Sequence, residues 1–194
     1  MPTAPKTTVA VVIPVKSFDQ AKGRLAPSLS NGDRRRLAHG MATGVVAAAQ
    51  PLPTWVVCHD HGIARWAMGV GASVLWRSTP GLNPAVSAAV DFLGTIGFGR
   101  VIIAHGDLPL ATDLGWVGDF DGVTVVPDRR GLGTNVLAVP TGTGFQFSYG
   151  ACSAPRHRAE ATRLDLALRV VEDEALGWDV DTPDDLTVFD HQGT

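Results

Sequence analysis

With 194 residues, 45% of them hydrophobic, and a mean hydropathy of +0.12, the chain is long enough to bury one sizeable core. A formal charge of −3 and a pI near 6.0 give no overall basic field, which argues against nucleic acid as a partner and leaves any anionic ligand to local cations. The two cysteines, Cys58 and Cys152, have no CxxC spacing, so no disulfide framework or zinc site is indicated and a reducing cytoplasm fits; no apolar run approaches the roughly 20 residues that span a bilayer.

In chain order, Met1 to Thr8 carries Lys6 but no hydrophobic region and reads as a short disordered lead rather than a signal peptide, ahead of a single domain over 9–194. Val9 to Val15 is an apolar run expected to form a central strand. Lys16, Lys22 and Arg24 follow on a segment too interrupted for a regular helix. Scattered cations usually mean a solvated loop, but the place after the first strand is where α/β proteins cradle phosphates. Ser30 with Asp33 resembles a capping box and opens a helix from about Gly32 to Ala49, with Leu37, Met41, Val45 and Ala48 on one face. Thr54–Cys58 is the second strand, Ile63–Val70 a short helix and Ser73–Trp76 the third strand. His59-Asp60-His61 could suggest a metal site, but one tripeptide supplies no coordination geometry. Gly69-Val70-Gly71 precedes a strand where a dinucleotide fingerprint must follow one, which excludes a Rossmann dehydrogenase. Asn83 suits an N-cap and Pro84 a first helical position, for a helix running to about Leu93 whose N-terminus can also meet a polar base or ribose.

Val101 to Ala104 is a second fully apolar run, read as a strand buried on both faces and closed by Gly106, Asp107 and Pro109. Ligands in open α/β sheets bind beyond the carboxyl ends of strands, so Asp107 stands where chemistry is done, although an acid there is also an ordinary turn or cap residue. A short helix over Asp113–Phe120 and a strand at Val123–Pro127 follow. Asp128 to Asn135, with two arginines and two glycines, can offer N–H groups and hydroxyls to an anion. Val136–Pro140 is a strand, and Phe145–Gly150 alternates like an edge strand. Ser153 sits at the start of a helix and makes a second anion site. Trp178–Asp181 reads as a short strand with Asp179 and Asp181 on one side, before a helix capped by Thr182, where Asp184 and Asp185 need only suit the helix dipole. The succession predicts a parallel α/β sheet with an antiparallel addition.

A cationic loop, an acid at Asp107 and an acidic pair near the C-terminus together suggest a Mg²⁺-dependent nucleotidyl transfer. Lys16, Lys22 and Arg24 would hold the leaving phosphates, with Mg²⁺ on Asp107 and Asp181. At this point the residues resemble a known family. Ile13-Pro14-Val15-Lys16 with Ala21-Lys22-Gly23-Arg24-Leu25, Gly81-Leu82-Asn83, Ala104 to Leu110, Gly133-Thr134-Asn135, Tyr149-Gly150 with Ser153 and His157, and Asp179 to Leu186 look like the 2-phospho-L-lactate or phosphoenolpyruvate guanylyltransferases of deazaflavin coenzyme F-420 biosynthesis. Related molybdenum-cofactor and sugar nucleotidyltransferases begin with a glycine-rich loop ending in Arg, which Pro14 to Arg24 replaces.

The resemblance implies a nucleotidyltransferase fold, glycosyltransferase-A-like and Rossmann-like, with three layers, a mostly parallel central sheet and an antiparallel addition. It implies GTP and a small phosphorylated three-carbon acid as substrates, one or two Mg²⁺ ions, a homodimer, and a product passed to a downstream transferase. Pro14, Val15, Lys16, Lys22, Arg24, Asn83 and Asp107 would then bind GTP; Thr134, Asn135, Gly150 and Ser153 the acid; and Asp107 with Asp179 and Asp181 the metal. Asp107, Lys16, Lys22 and Arg24 carry the catalytic assignment. Ala-, Gly- and Arg-rich usage suggests a high-GC genome, and actinobacterial relatives are expected to use phosphoenolpyruvate. Cys152 departs from the family, where a glycine is expected, and tightens the acid pocket. Another phospho-acid acceptor, or a non-catalytic GTP-binding relative, stays open at this stage.

Overall fold

The computed structural model describes residues 8–77 and 81–188. The lead expected at 1–8 lies outside these except for Thr8, whose hydroxyl donates to the Gly97 carbonyl and whose own carbonyl accepts the N–H groups of Gly99 and Arg100. The ordered elements run β1 (Val9–Pro14), α1 (Asn31–Ala48), β2 (Thr54–Cys58), α2 (His61–Gly69), β3 (Ser73–Trp76), α3 (Leu82–Thr95), β4 (Arg100–Ala104), β5 (Val123–Pro127), β6 (Thr134–Pro140), α4 (Ser153–Arg163) and β7 (Leu168–Val170). Short 3₁₀ turns cover Phe18–Gln20, Gly23–Leu25, Gly115–Asp119 and Pro183–Val188.

The seven strands form one sheet in the order β3-β2-β1-β4-β6-β5-β7. β1 pairs in parallel with β2 and β4, β2 with β3, and β5 with β7, whereas β6 runs antiparallel to both β4 and β5. Reversing β6 has a functional result. Its first residues, Thr134 and Asn135, lie at the edge where β1 and β4 end, and the Asn135 carbonyl continues the ladder by accepting the His105 N–H at 3.0 Å.

The sheet is covered on both faces, which is why its central strands read as unbroken apolar runs rather than alternating ones. Val11, Ile13, Ile102 and Ala104 pack with Val45, Ala48, Ile63 and Ala67 from α1 and α2. The intervening Ala10, Val12, Val101 and Ile103 pack with Val86, Ala89, Leu93 and Ala161 from α3 and α4. All eight of these strand side chains are wholly buried, and burying each Val or Ile contributes about 1.5–3 kcal/mol. Among the described residues no helix is long and apolar enough to cross a membrane.

Two expected strands take another form. Phe145–Gly150 keeps its alternation, with Phe145 and Tyr149 buried and Gln146 and Gly150 exposed, but it joins no ladder. Side chains bind its N–H groups instead: Glu160 Oε1 accepts from Gln146 at 2.9 Å, His157 Nε2 from Ser148 at 3.0 Å and Asn83 Oδ1 from Tyr149 at 2.7 Å. Trp178–Asp181 is likewise outside the sheet, and its Val180 N–H reaches the Asp107 carbonyl at 3.3 Å. The seventh strand is Leu168–Val170, three residues too short and too exposed to show a period.

Candidate active site

The site is built at the carboxyl edge of β1 and β4. After β1 the chain cannot continue as a helix. It makes two 3₁₀ turns, with Lys22 between them in the left-handed region at φ 55°. That turn brings its ammonium inward, to 2.5 Å from Asp107 Oδ2 and 3.2 Å from Asp181 Oδ1. The Lys22 side chain is only 9% exposed, against 25% for Asp107 and 48% for Asp181. Arg24 is more exposed and lies 3.5 Å from Asp181. Three segments remote in sequence thus meet in one charged cluster.

Its electrostatics follow from the packing. Burial works against the Lys22 ammonium, but Asp107 and then Asp181 outweigh it and hold its pKa above the usual lysine range. Burial also opposes the charge of Asp107, yet Lys22, followed by His105, keeps its carboxyl below the usual range. Asp179 has the opposite fate: burial, then the charges of Asp107 and Asp181, push it upward. The acids therefore sit close enough to repel, and one ammonium answers them.

A cavity of about 240 Å³ opens beside this cluster, with Lys16, Lys22 and Asp107 at its polar end and Met41, Ala42 and Leu82 on its apolar walls. Pro14 and Val15 also line it, so five of the seven residues assigned to GTP border one space. Arg24 and Asn83 do not. The cap of α3 is Gly81, at φ 107°, not Asn83; a side chain at Gly81 would be strained by that φ and crowd Pro84. Asn83 falls inside the first turn, where its amide accepts the Tyr149 N–H and donates to the Tyr149 carbonyl at 3.3 Å.

A second, buried polar cluster forms at the start of β6, next to Asn135, whose carbonyl accepts the His105 N–H. Thr134 Oγ1 is 3.0 Å from His157 Nδ1 and 3.3 Å from Ser153 Oγ, with all three residues at most 2% exposed. Gly150, at φ 123°, leads into it. Cys152 takes φ 54°, which explains why glycine is expected there: a side chain in that region costs roughly 1 kcal/mol. Asn135 donates to the Leu176 carbonyl at 3.0 Å, so it tethers the chain leading to Asp179.

His157 as a connector, the His105 and Tyr149 rings 5.3 Å apart, and Asp185 escaped the residue-by-residue reading. Asp185 is not simply a dipole acid. It is 2% exposed, pairs with Arg129, and accepts the N–H groups of Asp181 and Thr182 at 2.8 and 2.7 Å and the Thr182 hydroxyl at 3.0 Å. Only its spacing from Thr182 hinted at this. His59-Asp60-His61 resolves into a helix cap, with Asp60 Oδ1 accepting from Gly62 and Ile63, while His61 packs on Trp76. The Asp128–Gly133 loop is also closed on itself, because Asp128 Oδ1 accepts the Arg130 and Leu132 N–H groups while its Oδ2 leaves no room for a side chain at Gly133.

Burial raises the Asp185 pKa, but the donors from Asp181 and Thr182 outweigh it and hold the value below the usual range. Its contribution to stability is therefore full above the unfolded carboxylate value of about 3.9 and is lost as pH falls through the lower folded value. Asp185→Ala should destabilise the fold by about 3 kcal/mol, since it strands Arg129 and three donors. A fall in Tm of roughly 6–12 °C at neutral pH, shrinking as the pH falls below about 3.9, is the expected calorimetric result.

A mostly parallel sheet with one reversed strand, with a cationic turn after β1 facing acids after β4, has the architecture of a nucleotidyltransferase. Solved structures agree on the fold. A putative nucleotide-diphospho-sugar transferase from Desulfovibrio desulfuricans superposes with a TM-score of 0.74 at 15% identity, covering 93% of this chain and 85% of its own. A nucleotidyl transferase from Methanothermobacter gives 0.63 at 15% identity, covering 96% and 98%. The family model described as guanylyl transferase CofC like matches residues 9–193, and the chain belongs to that family. It is 38% identical to a phosphoenolpyruvate guanylyltransferase of Conexibacter woesei, over 90% of this chain and 84% of that protein. With the enzyme of the same name from Chloroflexus aggregans it shares 32%, over 93% and 96%. A 2-phospho-L-lactate guanylyltransferase of Methanocaldococcus fervens is 29% identical, over 93% and 84%. Guanylyl transfer is the activity that this membership carries.

Proposed function

We propose that the chain transfers GMP from GTP to phosphoenolpyruvate, or to 2-phospho-L-lactate, and releases pyrophosphate in coenzyme F-420 biosynthesis. The observation that carries this reading is the meeting of Asp107, Lys22 and Asp181 beside a cavity at the carboxyl edge of the sheet, the same edge at which β6 opens with Thr134. The cavity takes the nucleotide and the Thr134–Ser153 hydroxyl pair takes the acid. A phosphate oxygen of the acid attacks the α-phosphorus of GTP; the new P–O bond forms as the α–β bridging bond breaks, and pyrophosphate leaves. Phosphoenolpyruvate is the first choice because relatives bearing that name reach 38% and 32% identity, above the phospholactate relative at 29%.

The residues also fit Mg²⁺. Asp107 Oδ1 is buried without a hydrogen-bond partner, and Asp179 is pushed upward by burial and by its acidic neighbours, so this all-oxygen donor set keeps more negative charge than Lys22 and Arg24 offset. Among the described residues no three acids or histidines converge as a ready-made cation cluster, and Lys22 lies between two of the acids. Asp107, with Asp181 or Asp179, would hold the ion. When bound, Mg²⁺ supplies charge that lets two anionic substrates approach. Lys16 and Arg24 add fixed positive charge for the leaving phosphates, and Lys22 joins them when its ammonium leaves the acids.

Incubation with GTP, Mg²⁺ and phosphoenolpyruvate should release pyrophosphate, with little release from ATP, CTP or UTP. No release with either acid, or equal release from every nucleotide, defeats the reading.

A further inference from the structure

His157 has no part in the reaction as drawn, yet it is a fully buried histidine bound at both ring nitrogens. Its surroundings fix which nitrogen carries the proton. The Ser148 backbone N–H, 3.0 Å from Nε2, can only donate, so Nε2 must present a lone pair. A neutral ring then carries its hydrogen on Nδ1, where the partner 3.0 Å away is Thr134 Oγ1. The ring is neutral in the working range, because burial, followed by the Arg156 charge, pushes its pKa down to about 4. Glu160, the one acid near it, is engaged elsewhere, with the Gln146 N–H and Arg163.

The consequence passes to the hydroxyl pair. Thr134 Oγ1 accepts from the imidazole, so its own hydrogen is not spent on the ring. Among the described residues Ser153 Oγ, 3.3 Å away, is the only other protein partner of that hydroxyl. Two hydroxyl hydrogens are thus shared by a pair that uses at most one of them internally, leaving at least one for a ligand. The opposite tautomer would spend the Thr134 hydrogen on Nδ1, turn the Thr134 lone pairs toward an incoming anion and leave the pair only the Ser153 hydrogen to offer.

We propose that His157 is a positioning residue for the acid: held by the Ser148 N–H and donating to Thr134 Oγ1, its imidazole makes the Thr134–Ser153 pair a hydrogen-bond donor to a carboxylate or phosphate. The inference rests on the reading that this pair binds the phospho-acid. His157 touches no reacting atom and acts through Thr134. It also ties two segments together, since Ser148 lies two residues before Gly150 while Thr134 opens β6.

The direct test is a long-range ¹H–¹⁵N spectrum of the full chain labelled at histidine, together with steady-state kinetics for both substrates. His157 should show a protonated Nδ1 and a bare Nε2; a protonated Nε2 overturns the proposal in the parent protein without any substitution. His157→Leu should raise the KM for phosphoenolpyruvate by roughly 10- to 100-fold, the loss of one charge-assisted hydrogen bond, and leave the KM for GTP within about threefold. His157→Gln, whose amide can accept from Ser148 and donate to Thr134, should recover most of the loss. In a Thr134→Val background His157→Leu should add little, because the hydroxyl it acts through is gone. Equal rises in both KM values, or full additivity with Thr134→Val, mean a merely structural histidine and overturn the proposal. If the leucine variant does not fold, the spectrum and the glutamine variant decide. A parent enzyme that turns over neither acid overturns the acid reading itself, whereas an active parent whose folded His157 variants keep the parental acid KM overturns this inference alone.

Discussion

Asp107→Asn should lower kcat by about 10²- to 10³-fold, or about 2.7–4 kcal/mol of transition-state stabilisation, the largest loss from any single change in this site. The substitution keeps the shape of the side chain and removes its charge. That charge is a firm one, because Lys22 at 2.5 Å holds the carboxyl ionised below the usual range, so no assay pH near neutrality hides its loss. The free Oδ1 is the one buried carboxylate oxygen in the cluster with no protein partner, and an amide there would present a weaker acceptor or a donor. Single-turnover pyrophosphate release, with circular dichroism confirming the fold, is the measurement. An unchanged rate in a folded variant would remove Asp107 from the chemistry.

Lys22→Met is expected to come next, with a loss of about 10²-fold in kcat. Methionine keeps a flexible apolar stem of similar reach and deletes only the ammonium. Stability should fall as well, by about 1–2 kcal/mol, a value discounted from that of a fully buried pair because Asp181 is half exposed. The variant has a second signature. Without the ammonium, Asp107, Asp179 and Asp181 repel one another with only the exposed Arg24 to offset them, so added Mg²⁺ should raise the Tm of Lys22→Met more than that of the parent. Thermal unfolding with and without MgCl₂ measures this, and equal shifts in the two proteins would show that the lysine and the cation do not compete for the same acids.

Much of this site could be read from residue order because its parts are local. β2, β3 and β5 match their expected limits, since apolar runs bounded by Pro, Gly or His state their own ends. Asp107 and Lys22 follow from a strand end and a loop at the carboxyl edge of the sheet, whereas Asp181, expected on a short strand, lies on a segment outside the sheet and meets Lys22, a residue assigned to the leaving phosphates. The unread parts depend on distant partners. Phe145–Gly150 has the alternation of a strand, but whether such a segment joins a ladder depends on an available neighbour, and here side chains of α3 and α4 satisfy its N–H groups. Asn83 looked like a cap because its type and place fitted one, while its amide is used 66 residues further along the chain. Asp185 shows the same limit: an acid in a first turn is usually solvated, and only Arg129, 56 residues away, reveals that this one is buried.

The ion pair between Lys22 and Asp181 joins positions 159 residues apart. During synthesis the sheet through β4 and β6 can pair while the C-terminal segment is still unmade, so the nascent domain acquires its scaffold before its charged centre. Until residue 181 has emerged and docked beside Asp107, Lys22 lacks one of its acids and the turn that carries it lacks an anchor. On the proposed roles of Lys22 and Asp181, a product stalled before residue 181 holds its strands and helices yet lacks the ion pair that completes the charged cluster.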